Sequence, residues 1–234
     1  MKERIILSLG GSLIFSGQDY SINYNLLEQL KQGISKKYKT HKFVIVAGGG
    51  PIARKYIQGL EKQRKNKREL SLAGIRATRM NALFLMQFFG KKQANDFLPM
   101  SMKEVKDNLS KNDVVICGSL RFEDDSTSDG TAANLANYLN GTFINLTNVP
   151  GLYTKDPNKY KDAKLIPKIS WRDFKDITKK IKFHAGQHFV LDQKAAERIH
   201  KNKTKTYILG SELKNLNNLL NKKSFRGTVI NEEH

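Results

Sequence analysis

Phe43-Val44-Ile45-Val46-Ala47-Gly48-Gly49-Gly50-Pro51-Ile52 is the stretch on which the fold turns. Five apolar residues in a row make a short buried strand, and three glycines close it. Pro51 then suits the first position of a helix, where its missing N–H had no partner to lose. Strand, glycine turn and helix together are half of a parallel βα unit. The chain opens the same way, with Ile5-Ile6-Leu7-Ser8-Leu9 closed by Gly10-Gly11.

Outward from these two units the alternation continues. Ile22, Leu26, Leu27, Leu30 and Ile34 fall at helical spacing, and a helix is expected from about Leu72 to Phe89. Ser101-Met102-Lys103-Glu104 has capping-box spacing and should open a short helix before the strand Val114-Val115-Ile116-Cys117. Asp129 is placed to cap a helix over Gly130 to Leu139, and Phe143 to Leu146 reads as a strand. Residues 147–167 read mostly as loop. Ser170-Trp171-Arg172-Asp173 and Asp192 mark two helix starts, followed by the strand Tyr207-Ile208-Leu209, the helix Leu213 to Leu220 and the strand Thr228-Val229-Ile230. Near-continuous apolar strands alternating with helices imply an α/β fold, a mostly parallel sheet covered on both faces. No linker or repeat interrupts the 234 residues, so a single domain is expected.

Composition narrows the function classes. A hydrophobic fraction of 39% excludes a mainly disordered chain. The single Cys117 excludes an internal disulfide and a cysteine-based zinc site. His184 and His188 are four apart, but Gly186 lies between them and no third ligand is evident, so no metal site is expected. The longest apolar run, Ala82 to Met86, is too short for a bilayer, so no membrane partner is expected. Met-Lys-Glu-Arg runs straight into a strand without a secretory pattern, and a cytoplasmic setting is the expectation. With 41 Lys and Arg against 22 Asp and Glu, the net charge of +19 favours anionic partners. The lysines are widely spread and no nucleic-acid motif is present, so a solvated basic surface is the reading rather than a nucleic-acid patch; Glu61 to Arg68 is the densest cluster.

The two glycine turns carry the chemistry. In an open α/β sheet ligands bind beyond the carboxyl ends of the strands, and glycine lets backbone amides approach a phosphate closely. Gly10-Gly11-Ser12 and Gly48-Gly49-Gly50 suit two phosphates, or one polyphosphate held from two sides. Each alone also serves as a ligand-free strand–helix turn. The dinucleotide fingerprint and the P-loop are both absent, which argues against nicotinamide and Walker-type chemistry.

Three further stretches join these turns: Gly48 to Ile57, Gly74-Ile75-Arg76-Ala77-Thr78-Arg79-Met80-Asn81-Ala82, and Leu146-Thr147-Asn148-Val149-Pro150-Gly151-Leu152-Tyr153-Thr154-Lys155-Asp156-Pro157. With Thr127 to Ala133, and with Ala185-Gly186, Asp192 and Ala195-Ala196, they resemble the amino acid kinase family, and within it the archaeal type of uridylate kinase. The resemblance runs over nearly the whole chain. It implies a three-layer α/β/α sandwich that moves the γ-phosphoryl of ATP to UMP, giving UDP, with Mg²⁺ carried mainly on the phosphates. It implies an acceptor lobe over about residues 1–140, an ATP lobe over about 141–234, and a homo-oligomer, a hexamer, built through the helices after the second strand.

By the same resemblance Gly10, Gly11 and Arg54 act on the moving phosphoryl. Ser12, Gly50, Thr147, Asn148, Tyr153 and Asp156 hold ATP, while Gly49, Ser71, Thr127 and Ser128 hold UMP. Bland readings stand beside these: Arg54 as a helix-surface arginine, Thr127-Ser128-Asp129 as a helix cap, Asp156-Pro157 as a turn. Arg79 and Asn81 read as packing or subunit contact, and Trp171 as a core or interface anchor. The chain departs from the family at Ser8, where many members carry a lysine, and at Ser71, where uridylate kinases usually carry an aspartate. Glu123-Asp124-Asp125 would repel a phosphate unless they point away or carry Mg²⁺. Two further readings are therefore kept: a kinase of the same fold for isopentenyl phosphate or a carboxylate, and a non-catalytic nucleotide or oxyanion binder.

Overall fold

The structure is a computed structural model that describes residues 2–17, 19–122, 127–179 and 191–232. In chain order its elements are β1 (Glu3–Leu9), α1 (Gly11–Ile14), β2 (Phe15–Ser16), β3 (Ser21–Ile22), α2 (Tyr24–Ser35), β4 (His41–Ala47), α3 (Gly50–Lys62), α4 (Lys67–Phe89), α5 (Met102–Lys111), β5 (Val114–Cys117), α6 (Ser128–Tyr138), β6 (Thr142–Leu146), β7 (Lys168–Ser170), α7 (Trp171–Lys179), α8 (Gln193–Asn202), β8 (Thr206–Leu209), α9 (Leu213–Leu220) and β9 (Gly227–Asn231). Seven strands form one sheet in the order β5-β4-β1-β6-β8-β9-β7. Every pairing is parallel except β8 with β9, which is antiparallel.

Alternation along the strands splits the core in two. Ile5, Leu7, Leu9, Phe43, Ile45 and Ile144 face one way, and pack with residues of α1, α2, α4 and α9. Ile6, Val44, Val46, Val115, Phe143 and Ile208 face the other, against α5, α6, α7 and α8. This is the three-layer α/β/α sandwich. The sheet draws strands from both halves of the chain. Order reverses at β1: β4 and β5 build away from it on one side, β6 and β8 on the other. The carboxyl ends at this switch point are where an open α/β sheet offers a crevice.

Some local expectations are corrected. The helix that carries Leu26 to Ile34, α2, begins at Tyr24, and Ile22 belongs instead to a two-stranded hairpin with Phe15. The long helix begins at Lys67 rather than Leu72, because Asn66 accepts from the Glu69 N–H and the Glu69 carboxylate accepts from the Asn66 N–H. The basic cluster Glu61 to Arg68 is thereby divided between the end of α3, a short exposed connection and the start of α4. Thr127, not Asp129, caps α6, which begins two residues earlier than Gly130. β7 was not legible, being only three residues long. Trp171 is a core anchor, its indole N–H donating to the Thr204 carbonyl at 3.0 Å. No helix among the described residues is long and apolar enough to cross a membrane. His184, His188 and the acidic run Glu123 to Asp125 lie outside the described residues.

Candidate active site

The two glycine turns meet backbone to backbone. A Cβ placed on Gly11 would lie 2.1 Å from the Gly50 amide nitrogen and 2.5 Å from its Cα. One placed on Gly50 would lie 2.6 Å from the carbonyl carbon and oxygen of Gly11, and one on Gly48 would lie 2.5 Å from the Gly11 nitrogen. Gly50 also holds φ at +60°, a region that L side chains rarely adopt. Glycine is therefore required for contact between the turns, beyond any need of each turn alone. The rest of the edge is tied to them: the Gly48 N–H donates to the Leu9 carbonyl at 2.8 Å, and the Gly10 N–H to the Leu146 carbonyl at 3.1 Å. Thr147 follows directly, its amide donating to Leu209 at 2.9 Å.

Helix α4 holds this edge from the side. The Asn81 side-chain amide donates to the Gly48 carbonyl at 2.7 Å and to that of Gly49 at 3.3 Å. The Thr78 hydroxyl accepts the Ser119 N–H at 2.9 Å, while the Arg79 guanidinium donates to the carbonyls of Ser119 and Leu120. Gly118 is where this helix and the end of β5 come close, since a Cβ there would lie 2.7 Å from the Arg79 nitrogen. Thr78, Arg79 and Asn81 thus fix the glycine turn after β4 and the chain leaving β5. The packing reading of Arg79 and Asn81 holds, and what they pack is the candidate site.

On the opposite face, the Ser8 hydroxyl donates to the Asp129 carboxyl at 2.6 Å. Ser8 is fully buried in β1, two residues before Gly10. Asp129 is only half-buried by area, but its carboxyl is ringed by protein. That burial, reinforced by the nearby Asp192 carboxylate, pushes its pKa up to about 7 against the opposing pull of the Ser8 hydrogen bond. Asp192 caps α8 by accepting the Ala195 N–H at 2.6 Å, and it also accepts the Thr127 N–H at 3.1 Å and the Thr127 hydroxyl. Thr127 in turn accepts the Asp129 N–H at 3.1 Å. A buried hydroxyl–carboxyl pair therefore stands behind the first glycine turn, where the family pattern often carries a lysine.

The expected site residues divide accordingly. Gly10, Gly11, Ser12, Gly49, Gly50 and Thr147 share the carboxyl edge of the sheet. Thr127 and Ser128 reach it through Asp129 and Ser8. Arg54 lies one turn into α3, half-buried, with no hydrogen-bond or ion-pair partner among the described residues. Ser71 lies one turn before Gly74, whose carbonyl oxygen is 3.6 Å from the Cβ position of Gly49. Among the described residues no hydrogen bond joins Tyr153 or Asp156 to the glycine turns. Tyr153 pairs with Leu165 as an isolated bridge, and the Asp156 carboxylate accepts the Asn158 N–H at 3.0 Å, a local turn. The exposed Asn148 side chain accepts from the Thr147 hydroxyl at 3.2 Å. Sequence reasoning passed over Asp129 as a site residue because it read it as a cap. The Thr-Ser-Asp-Gly run held the signal, since an acid just inside a helix facing a strand serine is a candidate buried pair.

Comparison with known proteins bears on the family and the fold. The profile of the amino acid kinase family matches residues 3–210. The uridylate kinase of Thermoplasma volcanium is 36% identical over 234 residues, covering 100% of both chains. That of Methanocaldococcus jannaschii is 33% identical and covers 97% of this chain and 99% of its own. The crystal structure of uridylate kinase from Archaeoglobus fulgidus superposes with a TM-score of 0.82 at 28% identity, covering 98% of this chain and 100% of that one.

Proposed function

The chain belongs to the amino acid kinase family, and on that premise we propose that it phosphorylates UMP with ATP, a step of pyrimidine nucleotide biosynthesis. The observation that carries the reading is the backbone contact of the two glycine turns at the carboxyl edge of the sheet, beside the first turn of α6. Phosphoryl transfer asks for little covalent chemistry: an oxygen of the UMP phosphate attacks the γ-phosphorus, the bond to the ADP oxygen breaks, and the transferred group carries diffuse negative charge. Amides of Gly11, Ser12 and Gly50 would face that charge, with the transferring phosphates lying over the joined turns rather than between them. Thr147, Asn148, Tyr153 and Asp156 would hold ATP on the side of β6. Gly49, Ser71, Thr127 and Ser128 would hold UMP, dividing the domain into an acceptor lobe over about 1–140 and an ATP lobe over about 141–234. Mg²⁺ would ride on the phosphates and offset part of their negative charge. Among the described residues no cluster of three acidic, His or Cys side chains is present to hold it alone.

With Ser8 in place of a lysine, the side-chain cation must come from elsewhere, and Arg54 is the guanidinium nearest in sequence to a glycine turn. Arg54→Ala is expected to lower turnover about tenfold or more while leaving the thermal unfolding temperature unchanged. An unchanged rate removes Arg54 from the site. The activity itself is tested by coupled assay with ATP, Mg²⁺ and each common nucleoside monophosphate. UDP formation is the expected result. Turnover of another acceptor only, or nucleotide binding without turnover, overturns the proposal.

A homo-oligomer is part of the same reading, supported by Tyr56, Met80 and Leu83, which expose large apolar side chains on α3 and α4. Sedimentation velocity is expected to show an assembly that Met80→Glu dissociates. A wild-type monomer would refute it. The lone buried Cys117, its thiol pushed up to about 12 by burial, fits a reducing cytoplasm and makes no demand on redox chemistry.

A further inference from the structure

At the opposite end of the same strands lies a cavity of about 470 Å³ that the kinase reading does not use. The sheet register builds its floor. Glu3 pairs with His41, Ile5 with Thr142, and Ile144 with Tyr207, so alternate residues at the amino ends of β1, β4, β6 and β8 line one face. The end of α9 closes over them, followed by Lys222, Lys223 and Phe225. Tyr207 and Phe225 meet edge to face with centroids 5.7 Å apart, which gives the cavity an aromatic wall.

Its charge is one-sided. Lys205, Lys222 and Lys223 line it against the single carboxylate of Glu3. Among the described residues none of the three lysines is paired with an acid; Lys205 lies over the Tyr207 ring at 5.6 Å. Lys222 sits in the left-handed region, φ 57°, an unusual place for a lysine. The carbonyls of Asn217, Asn218 and Leu219 near the end of α9 are met by the amides of Asn221, Lys222 and Lys223, which leaves less negative potential there to oppose an anion. Burial holds the pKa of His41 below the usual value; Glu3 pulls it up, and Lys37 and Lys222 push it down. A larger cavity of about 580 Å³ beside β7 has no such bias, since Lys168 and Arg172 there face Asp173, Asp176 and Glu232.

We propose that the cavity beneath β1, β4, β6 and β8 is a second binding site, for an aromatic phosphate of the nucleotide type. Its ring would lie against Tyr207 and Phe225, and its phosphate would be met by Lys205, Lys222 and Lys223. A seven-residue strand spans roughly 20 Å, so this ligand stands clear of the glycine turns and is not a reactant. The inference does not depend on the identity of the phosphoryl acceptor.

The test is calorimetric titration of the whole protein with phenyl phosphate and, separately, inorganic phosphate. The expected result is saturable phenyl phosphate binding that weakens on the order of tenfold in Lys205→Glu/Lys223→Glu, with kinase turnover retained. Inorganic phosphate is expected to bind more weakly than phenyl phosphate, because it lacks the ring. Phenyl phosphate binding that the double variant leaves unchanged places the ligand elsewhere and overturns the proposal. So does an absence of saturable binding, or inorganic phosphate binding as tightly as the aryl ester, which would reduce the cavity to a diffuse basic surface.

Discussion

Gly11→Ala is expected to cut UDP formation by about a hundredfold or more, although the added group is a single methyl. The methyl would occupy a point 2.1 Å from the Gly50 nitrogen, 2.5 Å from the Gly50 Cα and 2.7 Å from the Gly49 carbonyl carbon. All three are backbone atoms, so no side chain can swing away, and one turn must retreat from the other. Displaced by about an ångström, the amides no longer converge on the same phosphoryl group, and catalysis that rests on positioning loses its main term. Overpacking of this kind costs about 1–3 kcal/mol. At this chain length that lowers the unfolding temperature by roughly 2–12 °C. Gly59→Ala supplies the control. Nothing lies within 4 Å of its Cβ position in α3, so it should gain about 0.5–1 kcal/mol from helix propensity and leave the rate untouched. Coupled turnover together with a thermal melt separates the two. A Gly11→Ala enzyme working at full rate would show that contact between the turns does not matter to the reaction.

That contact is also the measure of what could be read in advance. The apolar run Phe43 to Ala47 and its glycines announced a strand and a turn, because a fully buried parallel strand needs no alternation to be recognised. Leu213 to Leu220 matched its helix end to end, since leucines at helical spacing met a clear start and stop. The hidden parts were those set by distant partners. Nothing local reveals that Gly11 and Gly50 share one contact across 39 positions, or that Asn81 donates to Gly48. β7 forms because β9 offers it an edge, not because three residues prefer to be extended. Thr127 rather than Asp129 took the cap because Asp192, 65 residues away, fixes the Thr127 hydroxyl and amide. Ser8 was read as a missing cation. It is the donor to a buried acid, a role that appears only once α6 is packed on β1.

That acid gives the second large effect. Because the folded protein raises Asp129 from 3.8 to about 7, the native state keeps a proton that the unfolded chain releases between roughly pH 4 and 7. Stability therefore falls as pH rises through this window: the favourable contribution is complete below the unfolded pKa and lost above the folded one. Asparagine imitates the protonated acid, since its carbonyl oxygen can still accept the Ser8 hydroxyl and it brings no charge against Asp192. Asp129→Asn should match the wild type near pH 4 and exceed it by about 2–4 kcal/mol at pH 8, flattening the dependence between. Urea unfolding at pH 4.5, 6 and 8 measures this, and parallel curves for the two proteins would mean that Asp129 is ionised throughout. The same proton bears on the proposed chemistry. Below neutrality no negative charge stands behind the first glycine turn to oppose incoming phosphates. Above it the carboxylate returns, and with serine rather than lysine at position 8 that charge has only a hydroxyl to face.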